Sequence, residues 1–232
     1  MFYLVVYMED GNQMNKLNVL YEDNHVIVVV KPANILSQGD STGDISIMDM
    51  VKQYIKEKYH KPGNVYLGLV HRLDRPVGGI MVFARSSKAA SRLTNSFQEH
   101  RVIKKYYAVV RGKMESDYGK LIDYIEKGND GNSYISSSGK KAVLNYEVIK
   151  YYSDSDCSLV SIELETGRHH QIRVQFSSRG HSLLGDQRYG IFDHTQIALF
   201  CYYLSFPHPI TKEYLLFTED PPYEGYWTKF TV

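Results

Sequence analysis

Cysteine is scarce in this sequence: Cys157 and Cys201 are the only two among 232 residues. They lack metal-ligand or redox-motif spacing, which excludes a disulfide-stapled framework and fits a reducing compartment, the cytoplasm. No apolar run approaches the ~20 residues of a membrane-spanning helix. The apolar opening, residues 1–8, has no basic lead and meets Glu9-Asp10 at once, so it reads as a strand and not as an export signal. Bulk charge is nearly absent as well. A net +1 does not mark the chain as a nucleic-acid binder. Internal repeats and low-complexity segments are missing. What remains is ordinary for a globular chain, 43% hydrophobic and 23% charged, and long enough for one medium domain or two small ones. A single domain over 1–232 is expected.

The charge that is present is unevenly placed. Between Arg85 and Arg111 lie five further cations, Lys88, Arg92, Arg101, Lys104 and Lys105, against the single acid Glu99. Acids collect at Glu9-Asp10, Glu22-Asp23 and Glu219-Asp220. A locally basic face suits phosphate contacts and equally suits a solvated helix.

Taken in order, residues 19–32 read as strand, Asp23-Asn24 turn and strand, stopped by Lys31-Pro32. Asp44 or Ser46 caps a helix whose Ile47, Met50, Val51, Tyr54 and Ile55 recur at helical spacing. Ser86 or Ser87 opens a second helix with Ala90, Leu93 and Phe97 on one face, ending near His100. A strand follows over 104–112, in which alternation puts Tyr106 and Tyr107 on opposite faces. Residues 113–141, polar and bearing Gly128-Asn129-Asp130-Gly131, read as a hairpin or a flexible insertion. Two antiparallel strands, 142–151 and 158–164, flank the turn at Ser153–Asp156. Thr166-Gly167 then turns the chain into a helix with Ile172 and Phe176 on its apolar face and Gly180 as its stop. Residues 197–206 and 214–217 are late strands.

One stretch organises the rest: Leu69-Val70-His71-Arg72-Leu73-Asp74-Arg75-Pro76-Val77-Gly78-Gly79-Ile80-Met81-Val82-Phe83-Ala84. An apolar run rises as a strand into His71–Asp74, a Pro/Gly turn follows, and a second apolar strand leaves it. The carboxylate of Asp74 sits at the mouth of the loop between Arg72 and Arg75. Charges wedged between buried strands are paired or face a ligand. Spacing alone supports a structural Arg–Asp pair and a reactive carboxylate equally.

The letters resolve this. His71-Arg72-Leu73-Asp74 followed by a glycine turn and a β-run resembles the catalytic motif of the RluA-type RNA pseudouridine synthases. Lys104-x-Tyr106-x-Ala108-x-Val110-x-Gly112 resembles that family's second motif. Thr166-Gly167-Arg168-His169-His170-Gln171-Ile172-Arg173 matches its third in full, and Gly180-His181 through Gly185-Asp186 to Tyr189-Gly190 matches the loop after it. The resemblance covers about residues 19–209. It implies the α+β pseudouridine synthase fold: a mixed, mostly antiparallel sheet with flanking helices and a central active-site cleft. It also implies isomerisation of uridine to pseudouridine in RNA, with Asp74 as catalytic carboxylate, Arg173 pairing with it and Tyr106 against the target base. The resemblance further implies that Arg72 fills the gap left by the flipped base, that Lys104, Arg168, His170 and the basic residues of 85–111 contact RNA, and that Leu183 or Leu184 walls the base.

No cofactor is implied. His170 with His169 or His181 makes a poor metal site, because adjacent histidines do not readily face one ion and no acid or Cys completes a set. The expected partner is RNA, a folded stem-loop of ribosomal or transfer RNA read by shape, and the expected state is a monomer with no membrane attachment. Two rivals differ in class: an inactive RNA-binding module serving ribosome assembly, and a glycosidic-bond hydrolase, which would ordinarily pair two carboxylates. This chain departs from the family pattern in places. Val77-Gly78-Gly79 replaces Thr-Ser-Gly after the aspartate, so the loop loses two hydroxyls. Leu199-Phe200-Cys201 replaces Leu-His-Ala. The chain is also expected to start directly in the catalytic domain, without the small S4-type domain that many relatives carry.

Overall fold

The computed structural model describes residues 17–230; the strand expected over residues 1–8 lies outside them. The fold is α+β, with eleven strands and three α-helices among the described residues. The chain falls into two compact units. One holds the chain as far as Val102 together with Leu204–Glu219. The other holds Ile103–Tyr203 and the chain from Asp220 on.

In the first unit, β1 (Asn18–Glu22) and β2 (Val26–Lys31) form the hairpin expected from the Asp-Asn turn. The Asp23 carboxylate closes it, accepting the N–H groups of His25 and Val26 at 2.7 Å each. β2 pairs antiparallel with β4 (Gly78–Ala84), and the short β3 (Gly68–Leu69) pairs with the far end of β4. Val26–Val29 and the whole of β4 are buried, which is why both read as continuous apolar runs. The helix α1 (Ile47–Lys58) starts at a reciprocal cap in which Ser46 and Asp49 each bond the other's backbone N–H. The second helix, α2 (Ser87–Gln98), starts at Ser86 and drives Ala89 and Leu93 into a cluster with Val26, Val28, Ile80 and Val82.

One expectation fails here. The strand that should rise into His71–Asp74 stops at Leu69. Beyond it, the Leu73 peptide groups are bonded by the Ser37 hydroxyl in place of a neighbouring strand.

In the second unit, β5 (Ile103–Arg111), β9 (Cys157–Leu164), β8 (Lys140–Tyr152), β6 (Tyr118–Lys127) and β7 (Ser133–Ile135) follow one another across the sheet, each antiparallel to the next. Residues 113–141 thus contain the β6–β7 hairpin and the start of β8. Helix α3 (Gln171–Ser177) lies on one face of this sheet. Val174 packs with Ile125 and Ala142, and Phe176 meets the Tyr146 ring edge-on. Every residue from Gln171 to Phe176 is buried, so so short a helix is held by packing and not by propensity. Strand β10 (Leu199–Pro207) passes from the second unit into the first at Leu204, where β11 (Tyr214–Thr218) pairs with it. No helix among the described residues is long and apolar enough to cross a membrane.

Candidate active site

The first unit carries Asp74 on a loop tied down at nearly every residue. His71 accepts the Val82 N–H at Nε2 (3.0 Å), and its ring stacks on Phe97 at 5.0 Å. Arg72, exposed, donates to Gln38 Oε1 at 2.8 Å. Leu73, buried, exchanges two hydrogen bonds with the Ser37 hydroxyl. The Asp74 carbonyl accepts the Val77 N–H at 3.0 Å, closing the turn. Arg75 donates to the Asn34 carbonyl and pairs with Asp44 at 2.7 Å. Its own carbonyl accepts from Lys31 Nζ at 3.1 Å.

Lys31 is the notable member of this set. It is fully buried, and Nζ also donates to the carbonyls of Pro32 (3.0 Å) and Ile35 (2.7 Å), so all three N–H bonds have acceptors. Burial pushes its ammonium down to about 7, with the Asp74 charge opposing that and the Arg75 charge adding to it. The sequence pattern marks Lys31-Pro32 as a strand stop and does not reveal these three acceptors. A lysine at the end of a fully apolar strand was the available signal, because such a side chain must find several acceptors.

The second unit carries Tyr106 and Arg173. Tyr106 lies opposite Ile162 in the β5–β9 ladder, and Ile162 lies opposite Tyr146 in the next. Tyr106 therefore shares the sheet face that α3 covers, and it is 5% exposed. Tyr107 points the other way and stacks on Tyr202 at 3.7 Å. Lys104 has the same parity as Tyr106 and is half-buried; burial lowers its pKa and the nearby Cys201 opposes that. The Leu183–Val110 bridge puts Leu183 on the Tyr106 face too, while Leu184 bonds Val109 through its N–H at 2.9 Å. Both leucines are buried.

Arg173 is gripped from the side. Its Nε donates to Asp186 Oδ2 at 2.8 Å and its Nη2 to Oδ1 at 2.7 Å, with both side chains buried. The Tyr189 ring lies 5.1 Å from the guanidinium carbon. Burial alone would raise the Asp186 carboxyl, but Arg173 and the N–H groups of Arg188 and Tyr189 hold it below the usual range. The sequence placed Asp186 only within a loop motif; its role as the Arg173 partner required the fold.

The turn before α3 is equally specified. Thr166 Oγ1 accepts the Val143 N–H and donates to Gln171 Oε1, both at 2.8 Å, and Gln171 Nε2 donates to the Val143 carbonyl. His170 has a left-handed backbone, φ 52°. Its Nδ1 lies 2.7 Å from the Tyr189 hydroxyl, and its ring stacks on His169 at 3.7 Å. His169 Nδ1 in turn lies 2.9 Å from Ser133 Oγ. These histidines order the loop around Tyr189. Arg168 is exposed and donates from Nε to the Lys141 carbonyl at 2.8 Å. Within 85–111, Arg85, Arg92, Arg101, Lys105 and Arg111 have partners within the chain. No group of three or more metal-ligating side chains occurs among the described residues.

Known proteins resemble this chain in sequence and in fold. The family model described as RNA pseudouridylate synthase matches residues 25–178. The chain is 32% identical to tRNA pseudouridine synthase C of Yersinia pestis, over 92% of this chain and 91% of that one. It is 33% identical to ribosomal large subunit pseudouridine synthase D of Vibrio cholerae, over 89% and 68%. Among solved structures, Human RNA Pseudouridylate Synthase Domain Containing 4 superposes with TM-score 0.74 at 23% identity, covering 88% of each chain.

Proposed function

Because the chain belongs to the RNA pseudouridylate synthase family, and is by that membership an isomerase of uridine in RNA, we propose that Asp74 is its reacting carboxylate and ribosomal or transfer RNA its substrate. The observation that carries the assignment is the construction of the loop. A carboxylate is presented at the end of a segment whose neighbours on both sides are bonded to buried groups, Ser37 and Lys31. Such pre-organisation suits a group that must meet one atom of a flipped nucleotide.

The reaction breaks the C1′–N1 bond, turns the uracil and forms a C1′–C5 bond. N1 gains a proton and C5 loses one, so the balance is an isomerisation with no redox step. Asp74 acts as nucleophile or as base toward the sugar. Tyr106 stacks on the uracil and assists removal of the C5 proton. Arg173, oriented by Asp186, supplies the positive charge that keeps a carboxylate ionised in a desolvated site. Leu183, on the face of Tyr106, is the leucine assigned to the base wall. Arg72 takes the place of the flipped base, and Arg168 and Lys104 contact phosphate. The relatives named for transfer RNA and for the large ribosomal subunit support both RNA classes, and such a substrate goes with the cytoplasm.

The test maps pseudouridines in total RNA from cells with and without the gene, and from cells carrying Asp74→Asn. The expected result is loss of the same one or few sites in the deletion and in the variant. Retention of those sites in Asp74→Asn cells would remove the assignment of the carboxylate. Free uracil released from RNA by purified protein would favour the hydrolase instead.

A further inference from the structure

We propose that Ser37 is a positioning residue for pseudouridine formation, its hydroxyl bracketing both peptide groups of Leu73 and so fixing Asp74. Oγ donates to the Leu73 carbonyl at 2.7 Å and accepts the Leu73 N–H at 3.1 Å. Those are the two bonds that a neighbouring strand would make, and β3 has already ended at Leu69. A hydroxyl is the smallest side-chain group that can donate and accept at once. Ser37 and Leu73 are 6% exposed each, so water is not a ready substitute.

Ser37 is itself anchored. The preceding carbonyl, of Leu36, accepts the Ile47 N–H at 2.8 Å, and Leu36 forms a bridge with Ser46 at the start of α1. The first turn of that helix is thereby tied through Ser37 to the residue before Asp74. The turn that follows Asp74, Arg75-Pro76-Val77, contains no hydroxyl and is closed by the Val77 N–H on the Asp74 carbonyl at 3.0 Å. On the other side of Asp74, order comes from outside the loop, through Ser37.

This inference rests on Asp74 being the reacting group. The experiment measures tritium release from 5-tritiated-uridine RNA, total RNA labelled in cells lacking the gene, under single turnover with enzyme in excess. Ser37→Ala is expected to lower the saturating rate by ~10–100-fold, the cost of a reacting group displaced by a fraction of an ångström, with the half-saturating enzyme concentration changed less than threefold. Ser37→Thr, which keeps the hydroxyl, should recover most of the rate. If Ser37→Ala does not fold, Ser37→Cys, of similar shape and weaker hydrogen bonding, takes its place. A wild-type rate in Ser37→Ala or Ser37→Cys overturns the inference, and so does a Ser37→Thr variant as slow as either. Asp74→Asn is run alongside: activity there refutes the carboxylate assignment, whatever Ser37 does.

Discussion

Replacing Asp186 by Asn tests the grip on Arg173 most directly. The two side chains meet through paired bonds of 2.8 and 2.7 Å and are 0% and 6% exposed for Asp and Arg. Asn keeps an oxygen for the Arg188 and Tyr189 N–H groups, which bond Asp186 Oδ1 at 3.0 and 3.1 Å. It turns the other contact into N–H against N–H and leaves a buried guanidinium without this counter-charge. Breaking a buried ion pair from one side costs about 3–5 kcal/mol, against a total stability of about 5–15 kcal/mol for a domain. At about 2–4 °C per kcal/mol for a chain of this size, the melting temperature should fall by about 6–20 °C. Urea unfolding at pH 7 reads the free energy. Removing both charges, Arg173→Met with Asp186→Asn, should cost less than Asp186→Asn alone, because the amide oxygen still accepts the Arg188 and Tyr189 N–H groups and no unpaired charge remains.

The same pair sets an acid limit. Because the Asp186 pKa is lower folded than unfolded, the unfolded state binds more protons near pH 4 and below. Stability from this group is complete above about pH 4 and is lost as pH falls through the folded pKa. That component of acid destabilisation should be absent from Asp186→Asn. A variant within about 1 kcal/mol of wild type, or a double variant worse than the single one, would refute the reasoning.

Lys31→Met should change the pH dependence at the other end. With the folded ammonium at about 7 and an unfolded value near 10.4, the unfolded state binds more protons in between. Wild-type stability therefore rises with pH across that window, by at most about 1.4 kcal/mol per unit. Urea melts at pH 7 and 9 should show the difference between the two proteins shifting by ~2 kcal/mol or more; a constant difference refutes it. Gly185→Ala should lower the melting temperature, since Gly185 has φ +70° and an added Cβ would stand 2.5 Å from the Gln196 carbonyl oxygen; unchanged melting would contradict this. Tyr106→Phe should slow tritium release by ~100-fold if its hydroxyl moves the C5 proton, whereas Tyr107→Phe, on the opposite face, should stay within about twofold. Equal losses in both would dissociate the motif from the chemistry.

Local pattern was enough for much of this protein. The apolar spacing and the serine caps located α1 and α2, and the Asp23-Asn24 turn located the first hairpin, because each depends on residues a few positions apart. The motifs around Asp74, Tyr106 and Arg173 pointed to the chemistry before any contact was known. What the sequence did not contain was the set of partners. Ser37 meets Leu73 across 36 positions and Lys31 meets Arg75 across 44. Asp186 reaches Arg173 and Gln171 reaches Val143 only once α3 is laid on its sheet. The strand expected at His71–Asp74 failed for the same reason: its apolar lead was real, but whether a backbone N–H meets a neighbouring strand or a serine hydroxyl is settled by the path of the distant chain. Hydrophobic period reports which way a side chain faces. Which polar atom waits there is decided by the tertiary fold, since every buried donor and acceptor must be matched at once by groups far apart in the sequence.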